Sequence, residues 1–231
     1  MEDEIDISLD FEDYSNGWVS YFDVLGFSAS VNTGRWFDVW LVYSKAIKEF
    51  KKEYGLGPHV EGIWFSDTFV LYSSDCVEAK SRAFVYSLVC RGIPVRGAMS
   101  YGKFYANKEY NVFFGPALIE AYNYGEHQDW IGFVLTPSAI KQMAVIGSPA
   151  DRMIDYAYWD IPCKSLEQKQ PTRLPAYIIG KNLRLNGRNL ALDKLREIEL
   201  SLQSNHNTEF VSKYQNTIRF IEANERETSS G

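Results

Sequence analysis

Cysteine and histidine are scarce in this chain, and neither is grouped. Three cysteines in 231 residues, Cys76, Cys90 and Cys163, form no even, closely spaced set. That excludes a disulfide framework and a thiolate zinc site, and it fits buried thiols in a reducing compartment. The three histidines, His59, His127 and His206, are scattered and read as structural or exposed. The sequence has no His-Glu-x-x-His pair, no Gly-x-x-x-x-Gly-Lys-Ser/Thr phosphate loop and no nucleophile elbow, which removes zinc-protease, P-loop and serine-hydrolase chemistry. No stretch of about 18 residues stays apolar, so no membrane span is expected. Basic residues are outnumbered, 24 Lys and Arg against 30 Asp and Glu, for a net charge of −6; a nucleic-acid partner, which needs clustered cations, is not expected. The first residues are acidic (Glu2, Asp3, Glu4, Asp6, Asp10, Glu12, Asp13), the inverse of a secretory n-region. These absences point to a cytoplasmic protein acting on something small.

What is present is apolar material, 45% of the residues, with 15% aromatic, enough for one sizeable core. The expected organisation is an acidic leader over 1–15, one domain over 16–182, and a helical extension over 183–231 that packs on the domain or across a dimer. Trp18 to Phe27 reads as a buried strand. Trp36, Phe37, Val39, Trp40, Val42, Tyr43, Ala46, Ile47 and Phe50 recur at helical spacing until Gly55-Leu56-Gly57-Pro58. Strands over His59 to Phe65 and Thr68 to Ser73 are separated only by Ser66-Asp67, a tight hairpin. A helix over Val77 to Cys90 and a strand over Ile93 to Tyr101 complete a βαββαβ order. That is the ferredoxin-like α+β pattern, with helices on one face of an antiparallel sheet. Further on, a helix from Gly115-Pro116 to Tyr124, a strand over Trp130 to Leu135, a helix over Pro137 to Val145 and a strand over Ala176 to Ile179 are expected. The segment from Ile146 to Arg173 has no legible pattern. Helical periodicity returns from Asn189 to about Ala223, broken at Asn207-Thr208.

Two carboxylates stand out. Asp23, in Tyr21-Phe22-Asp23-Val24-Leu25-Gly26-Phe27-Ser28, lies inside an apolar strand, where an unpaired charge is costly. It requires a cation, a hydrogen-bonded structural role or a shifted pKa at a working site. Asp67, in Ile63-Trp64-Phe65-Ser66-Asp67-Thr68-Phe69-Val70, also has apolar surroundings. In a split βαββαβ sheet the first and third strands are neighbours, so Asp23 can meet the hairpin acid at one sheet end. Two hard oxygen ligands, with the Val24 carbonyl as a third, suit Mg²⁺ or Mn²⁺, which take their other ligands from water and substrate phosphates. The competing reading is two acids separately solvated or paired with Lys or Arg.

These residues resemble the metal motifs of class III nucleotidyl cyclases: Phe22-Asp23-Val24-Leu25-Gly26-Phe27 the first, Ser66-Asp67 the second. Val95-Arg96-Gly97-Ala98-Met99-Ser100-Tyr101-Gly102 is similar to the family's Arg-Gly-hydrophobic strand, and Gly115-Pro116-Ala117-Leu118-Ile119-Glu120-Ala121-Tyr122 to its following helix start. With Trp159-Asp160-Ile161-Pro162, the likeness is to the compact pyrimidine cyclases of bacterial Pycsar anti-phage systems, and it covers about Trp18 to Gly180. The resemblance implies catalytic Asp23 and Asp67, and metal ligands Asp23, Val24 and Asp67 holding two Mn²⁺ or Mg²⁺ ions. It implies substrate contacts at Tyr21, Phe22, Arg96 and Asn123, a homodimer, and UTP converted to 3′,5′-cyclic UMP, a messenger read by a separate effector. The alternatives are a cytidylate cyclase making cyclic CMP and a degenerate nucleotide-binding dimerisation module. A diguanylate cyclase lacks support, because there is no Gly-Gly-Asp/Glu-Glu-Phe.

The departures from the family pattern carry information. Ile63 and Val112 stand where adenylate-forming members place a Lys and an Asp on the base, which favours a base other than adenine. Ile119 and Asn123 stand where the family has an Asn and Arg pair at ribose and phosphate. Charge stabilisation must then come from elsewhere, with Arg96, Lys103, Arg152, Lys164 and Arg173 as candidates.

Overall fold

The computed structural model describes residues 14–27, 32, 36–54, 59–147, 153–164, 172–204 and 208–225. The leader up to residue 13, the expected stop at Gly55 to Pro58, Arg152, His206 and Asn207 lie outside the described residues. Within them the order is β1 (Ser15–Val24), α1 (Trp36–Tyr54), β2 (Val60–Phe65), β3 (Thr68–Ser73), α2 (Glu78–Cys90), β4 (Val95–Asn107), β5 (Val112–Phe114), α3 (Pro116–Glu126), β6 (Gly132–Leu135), α4 (Pro137–Val145), β7 (Tyr156–Asp160) and β8 (Arg173–Tyr177). The short hairpin β9 (Arg184–Leu185) and β10 (Arg188–Asn189), then α5 (Leu190–Ser204) and α6 (Thr208–Glu225), complete it. The main sheet runs β2-β3-β1-β4-β6-β8-β7, with β5 paired to β4. Every pairing is antiparallel except β4 with β6. The βαββαβ expectation therefore holds, and β1 and β3 are neighbours with Asp23 opposite Thr68.

Alternation along β1 sends its side chains to two different layers. Trp18, Phe22 and Val24 enter the main core with Phe69, Phe84, Leu88 and Phe133. Val19 and Tyr21 face the other way, against Ala117 and Ala121 of α3. Helices α1, α2, α4, α5 and α6 all contribute to the main core; α3 lends it Tyr124 but sets Ala117 and Ala121 against the opposite face of β1. It lies close to β1: a methyl group on Gly125 would sit 2.7 Å from the Tyr21 ring, so only glycine permits this approach.

Several boundaries differ from the sequence expectation for visible reasons. β1 ends at Val24, and two further bonds in the same registers carry its pairing one step on, from the N–H of Val24 to the Asp67 carbonyl at 3.0 Å and from that of Leu25 to the Pro94 carbonyl at 2.9 Å. Gly26, at φ +76°, then turns the chain. β4 continues past Tyr101 to Asn107, where β5 pairs with it. Gly97 to Lys103 has two glycines and a lysine at phosphate-loop spacing, but the stretch is extended strand and is followed by Phe104. β8 lies earlier than expected, at Arg173–Tyr177, paired along its length with β7, and one further bond in the same register joins the Ile178 N–H to the Asp155 carbonyl at 2.8 Å. β7 forms inside the stretch that had no legible pattern. The three cysteines are half-buried rather than buried. Among the described residues no helix is long and apolar enough to cross a membrane.

Candidate active site

The C-terminal end of β1, the β2–β3 hairpin and the C-terminal end of α3 enclose an open pocket of about 540 Å³. Asp23 and Asp67 both line it, with Tyr21, Val24, Gly26, Thr68, Arg96, Tyr122, Glu126 and Phe210. The hairpin places Asp67 by a tight turn in which Ser66 adopts φ +54°, an unusual conformation for a residue with a side chain. Asp67 is half-buried, whereas Asp23 is 9% exposed.

Asp23 is not alone. Arg96, directly opposite it on β4 and 4% exposed, approaches its Oδ2 with Nε at 2.8 Å and Nη2 at 2.6 Å. The rest of that guanidinium is also engaged. Nη1 donates to the Gln128 carbonyl at 2.8 Å, and Nη2 reaches Glu126 Oε2 at 2.7 Å. Gln128 is itself pinned, donating to the Gly97 and Tyr124 carbonyls and accepting from Trp130 Nε1. Glu126 takes Lys164 Nζ on its other oxygen at 2.6 Å.

Burial is the largest influence on Asp23 and raises its pKa. Arg96 opposes this without cancelling it, and the charges of Glu126 and Asp67 add to the rise. For Glu126 burial again works against the charge, but Lys164 and Arg96 outweigh it and hold the carboxyl below its ordinary range. Three carboxylates, Asp23, Asp67 and Glu126, thus face two cations, Arg96 and Lys164. A pocket with surplus negative charge attracts a cation and repels a bare polyphosphate.

Among the described residues no three His, Cys, Asp or Glu side chains cluster as a complete metal cage. The protein offers two carboxylates, one of which keeps its Oδ1 clear of the Arg96 ion pair. With the adjacent Val24 carbonyl, this donor set fits a hard divalent ion that fills its sphere from water and a phosphate-bearing ligand. The buried, charge-disfavoured state of Asp23 is the condition such an ion would relieve.

The structure brings Tyr21, Asp23, Val24, Asp67 and Arg96 together, and it separates Phe22 and Asn123 from them. The Phe22 side chain is sealed in the main core, stacked on Phe69 and Phe133 and edge-on to Phe84, so the expected substrate contact there is corrected. Strand alternation is the reason: neighbours of Tyr21 and Asp23 point the opposite way. Asn123 is half-buried on α3, its carbonyl bonded to His127 Nδ1, and the pocket is lined instead by Tyr122 and Glu126. Tyr21 meets Tyr122 edge-on at 5.3 Å, and burial raises its pKa while a bond from the Thr68 side chain partly offsets this.

Of the basic candidates, Arg96 and Lys164 belong to this cluster. Lys103 instead bonds the Tyr14 carbonyl at 3.3 Å, and Arg173 pairs with Asp160 on the outer strands. Glu126, Thr68, Tyr122 and Phe210 were missed in the sequence. Tyr122 and Glu126, four apart, share one face of α3, but nothing in the sequence ties that face to Asp23. Tyr43 adds one more unusual group: its hydroxyl is buried with no hydrogen-bond partner among the described residues. Burial is the main cause of its raised pKa, and the charges of Asp67 and Asp23 add to it.

No family model matches the sequence, and no curated protein matches it by sequence. Solved structures do match by shape. The catalytic core of a rhodopsin-guanylyl cyclase with converted specificity, in complex with ATPαS, superposes with a TM-score of 0.51 at 11% identity, covering 71% of this chain and 95% of that one. An adenylate cyclase from Trypanosoma brucei in its monomeric state gives 0.51 at 9% identity, over 71% of this chain and 88% of that one. A second T. brucei adenylate cyclase structure gives 0.50 at 9% identity, over 70% and 88%. The chain has the mixed α+β fold of class III nucleotidyl cyclase domains.

Proposed function

Proceeding from that fold, we propose that the chain is a nucleotidyl cyclase that closes UTP to 3′,5′-cyclic UMP with release of diphosphate. The observation that carries the reading is the meeting of Asp23 and Asp67 in one open pocket at the end of β1. Divalent ions, Mn²⁺ or Mg²⁺, would be held by Asp23, Asp67 and the Val24 carbonyl; they would acidify the ribose 3′-hydroxyl and neutralise the triphosphate. The protein's own share is positioning and charge. Arg96 fixes Asp23 from the β4 side, Glu126 holds Arg96, Lys164 holds Glu126, and the pocket walls orient the nucleotide. Lys164, 41% exposed at its side chain, is the cation free enough to turn toward phosphate. Arg96 serves as a positioning residue, since each of its nitrogens is engaged within the protein.

A base other than adenine is supported by Ile63 and Val112, both half-buried and unable to hydrogen-bond a purine edge. A homodimer is supported by apolar side chains left exposed on the pocket side of the sheet: Phe65 at 79%, Ile119 at 59% and Tyr122 at 46%. Such a messenger would be read by a separate effector in anti-phage defence in the cytoplasm. A second reading, a nucleotide-binding module without turnover, draws support from the Arg96 ion pair on Asp23 and from Ile119 in place of the family's asparagine. Incubating the protein with Mn²⁺ and each of the four nucleoside triphosphates, with products identified by mass spectrometry, separates these readings. Cyclic UMP is expected; cyclic CMP moves the base assignment, and binding without any product favours the module.

A further inference from the structure

We propose that α6 is part of the active site, with Phe210 as the residue that positions the metal-binding turn from Asp23 to Phe27. The inference rests on the cyclase reading and extends it to a segment that the sequence marks only as packing surface. Phe210 lines the same pocket as Asp23 and Asp67. Its ring packs directly on the turn: a methyl group on Gly26 would lie 3.3 Å from Cε1 and 3.4 Å from Cζ of Phe210.

The first half of the turn is held by backbone bonds, Val24 N–H to Asp67 and Leu25 N–H to Pro94. At Gly26, with φ +76°, the ring supplies the contact instead. Glycine is the least restrained residue in a chain, so a turn built on it keeps one geometry only if something packs against it.

The helix that carries Phe210 is fastened to the sheet beside the site. Thr217, fully buried, accepts from the Ile131 N–H at 3.0 Å and bonds the Ile131 carbonyl at 2.8 Å. Lys213 forms an ion pair with Asp129, and Asn216 donates to the Asp129 carbonyl at 3.3 Å. Ile131 immediately precedes Gly132, the residue that pairs with Arg96 across β4 and β6. Phe210, Lys213, Thr217 and Phe220 recur at helical spacing, so seating α6 on β6 determines where the Phe210 ring lands. The guanidinium that grips Asp23 and the ring that backs Gly26 therefore share one support. Displacing the ring releases the turn, and with it the Val24 carbonyl and the Asp23 carboxylate that are to hold the metal.

The test compares Phe210→Ala and Phe210→Leu with the wild-type chain by steady-state turnover of UTP over a range of Mn²⁺ concentrations, alongside thermal unfolding. Phe210→Ala is expected to lower kcat and raise the Mn²⁺ requirement together by roughly tenfold to a hundredfold, the scale of loss for an ångström-sized misplacement of reacting groups. Phe210→Leu, which keeps apolar bulk over Gly26, is expected to recover most of that loss. A Phe210→Ala protein that melts earlier yet keeps wild-type kcat and Mn²⁺ dependence while folded overturns the proposal, because the ring would then serve stability alone. A wild-type chain without turnover of any triphosphate removes the cyclase reading, and calorimetric binding of Mn²⁺ with UTP then decides: weaker binding in Phe210→Ala upholds the positioning role, and equal binding or no binding at all overturns it.

Discussion

Two buried ion networks sit on opposite sides of the sheet, built from the same chemistry and arranged to different ends. On the α2 side, Glu78 is fully buried, accepts from the Tyr156 hydroxyl at 2.8 Å and pairs with Arg82, which also pairs with Asp155. Asn182 closes the Asp155 carboxylate, and the Tyr177 ring lies under the guanidinium at 5.6 Å. On the α3 side, Asp23, Arg96, Glu126 and Lys164 form a chain that ends at an open pocket holding one more acid, Asp67. Titrations are displaced in both networks. Burial, the largest cause, raises Tyr156 far above its ordinary range, just as it raises Asp23. A shifted pKa therefore does not mark a site; access and uncompensated charge do. The first network fastens β7 and the loop after β8 onto α2, and the second leaves carboxylates lining an open pocket.

The sharpest way to break this contrast is to remove one acid from the open network. Asp67→Ala is expected to lower kcat about a thousandfold, the scale of losing one preorganised charged group at a reacting centre, while leaving the melting transition nearly in place. Chemical denaturation and turnover measured on the same preparation check both halves. Next in size, Arg82→Ala strands Glu78 and Asp155 without their cation and is expected to cost about 3–5 kcal/mol of stability. Its kcat and KM, measured well below the unfolding transition, should stay at wild-type values. If they fall instead, the closed network is coupled to the pocket and the contrast fails.

A smaller effect distinguishes the pH behaviour of the networks. Glu126 has a folded-state pKa below its ordinary value of 4.5. Its stabilising contribution is therefore fully present above that value and is lost as pH falls through the lower, folded-state value. Glu126→Gln should accordingly destabilise the protein near neutrality, and the difference from wild type should shrink in urea titrations below pH 4.5. Smallest of all is Tyr43→Phe. Its hydroxyl is buried without a partner among the described residues, so deleting it should change stability by less than about 0.5 kcal/mol, or raise it slightly, in the same titrations. A loss larger than that would mean the hydroxyl holds something the folded chain normally binds.

Much of the open site was legible in the sequence because its parts are local. An acid in an apolar strand, a two-residue hairpin carrying a second acid, and the βαββαβ order were enough to bring Asp23 and Asp67 to one end of the sheet. Tyr21 and Phe22 show where a local rule was available and not applied: strand period alone sends them to different faces. Glu126 and Phe210 show what a linear reading cannot reach. Each arrives through tertiary packing, α3 by its close approach at Gly125 and α6 by its seat on Ile131, and neither contact leaves a spacing pattern near Asp23. The ion pair between Arg96 and Asp23 is intermediate. Both residues were singled out, but their register, opposite each other on β1 and β4, follows only from the sheet.

Titrating Mn²⁺ into UTP turnover for the wild-type chain, Asp23→Asn and Asp67→Asn shows whether Asp23 and Asp67 act together as one metal-dependent centre. Metal-dependent cyclic UMP formation is expected in the wild type, with its collapse in either variant at Mn²⁺ concentrations that saturate the parent protein. Wild-type rates surviving in either variant would contradict that joint action.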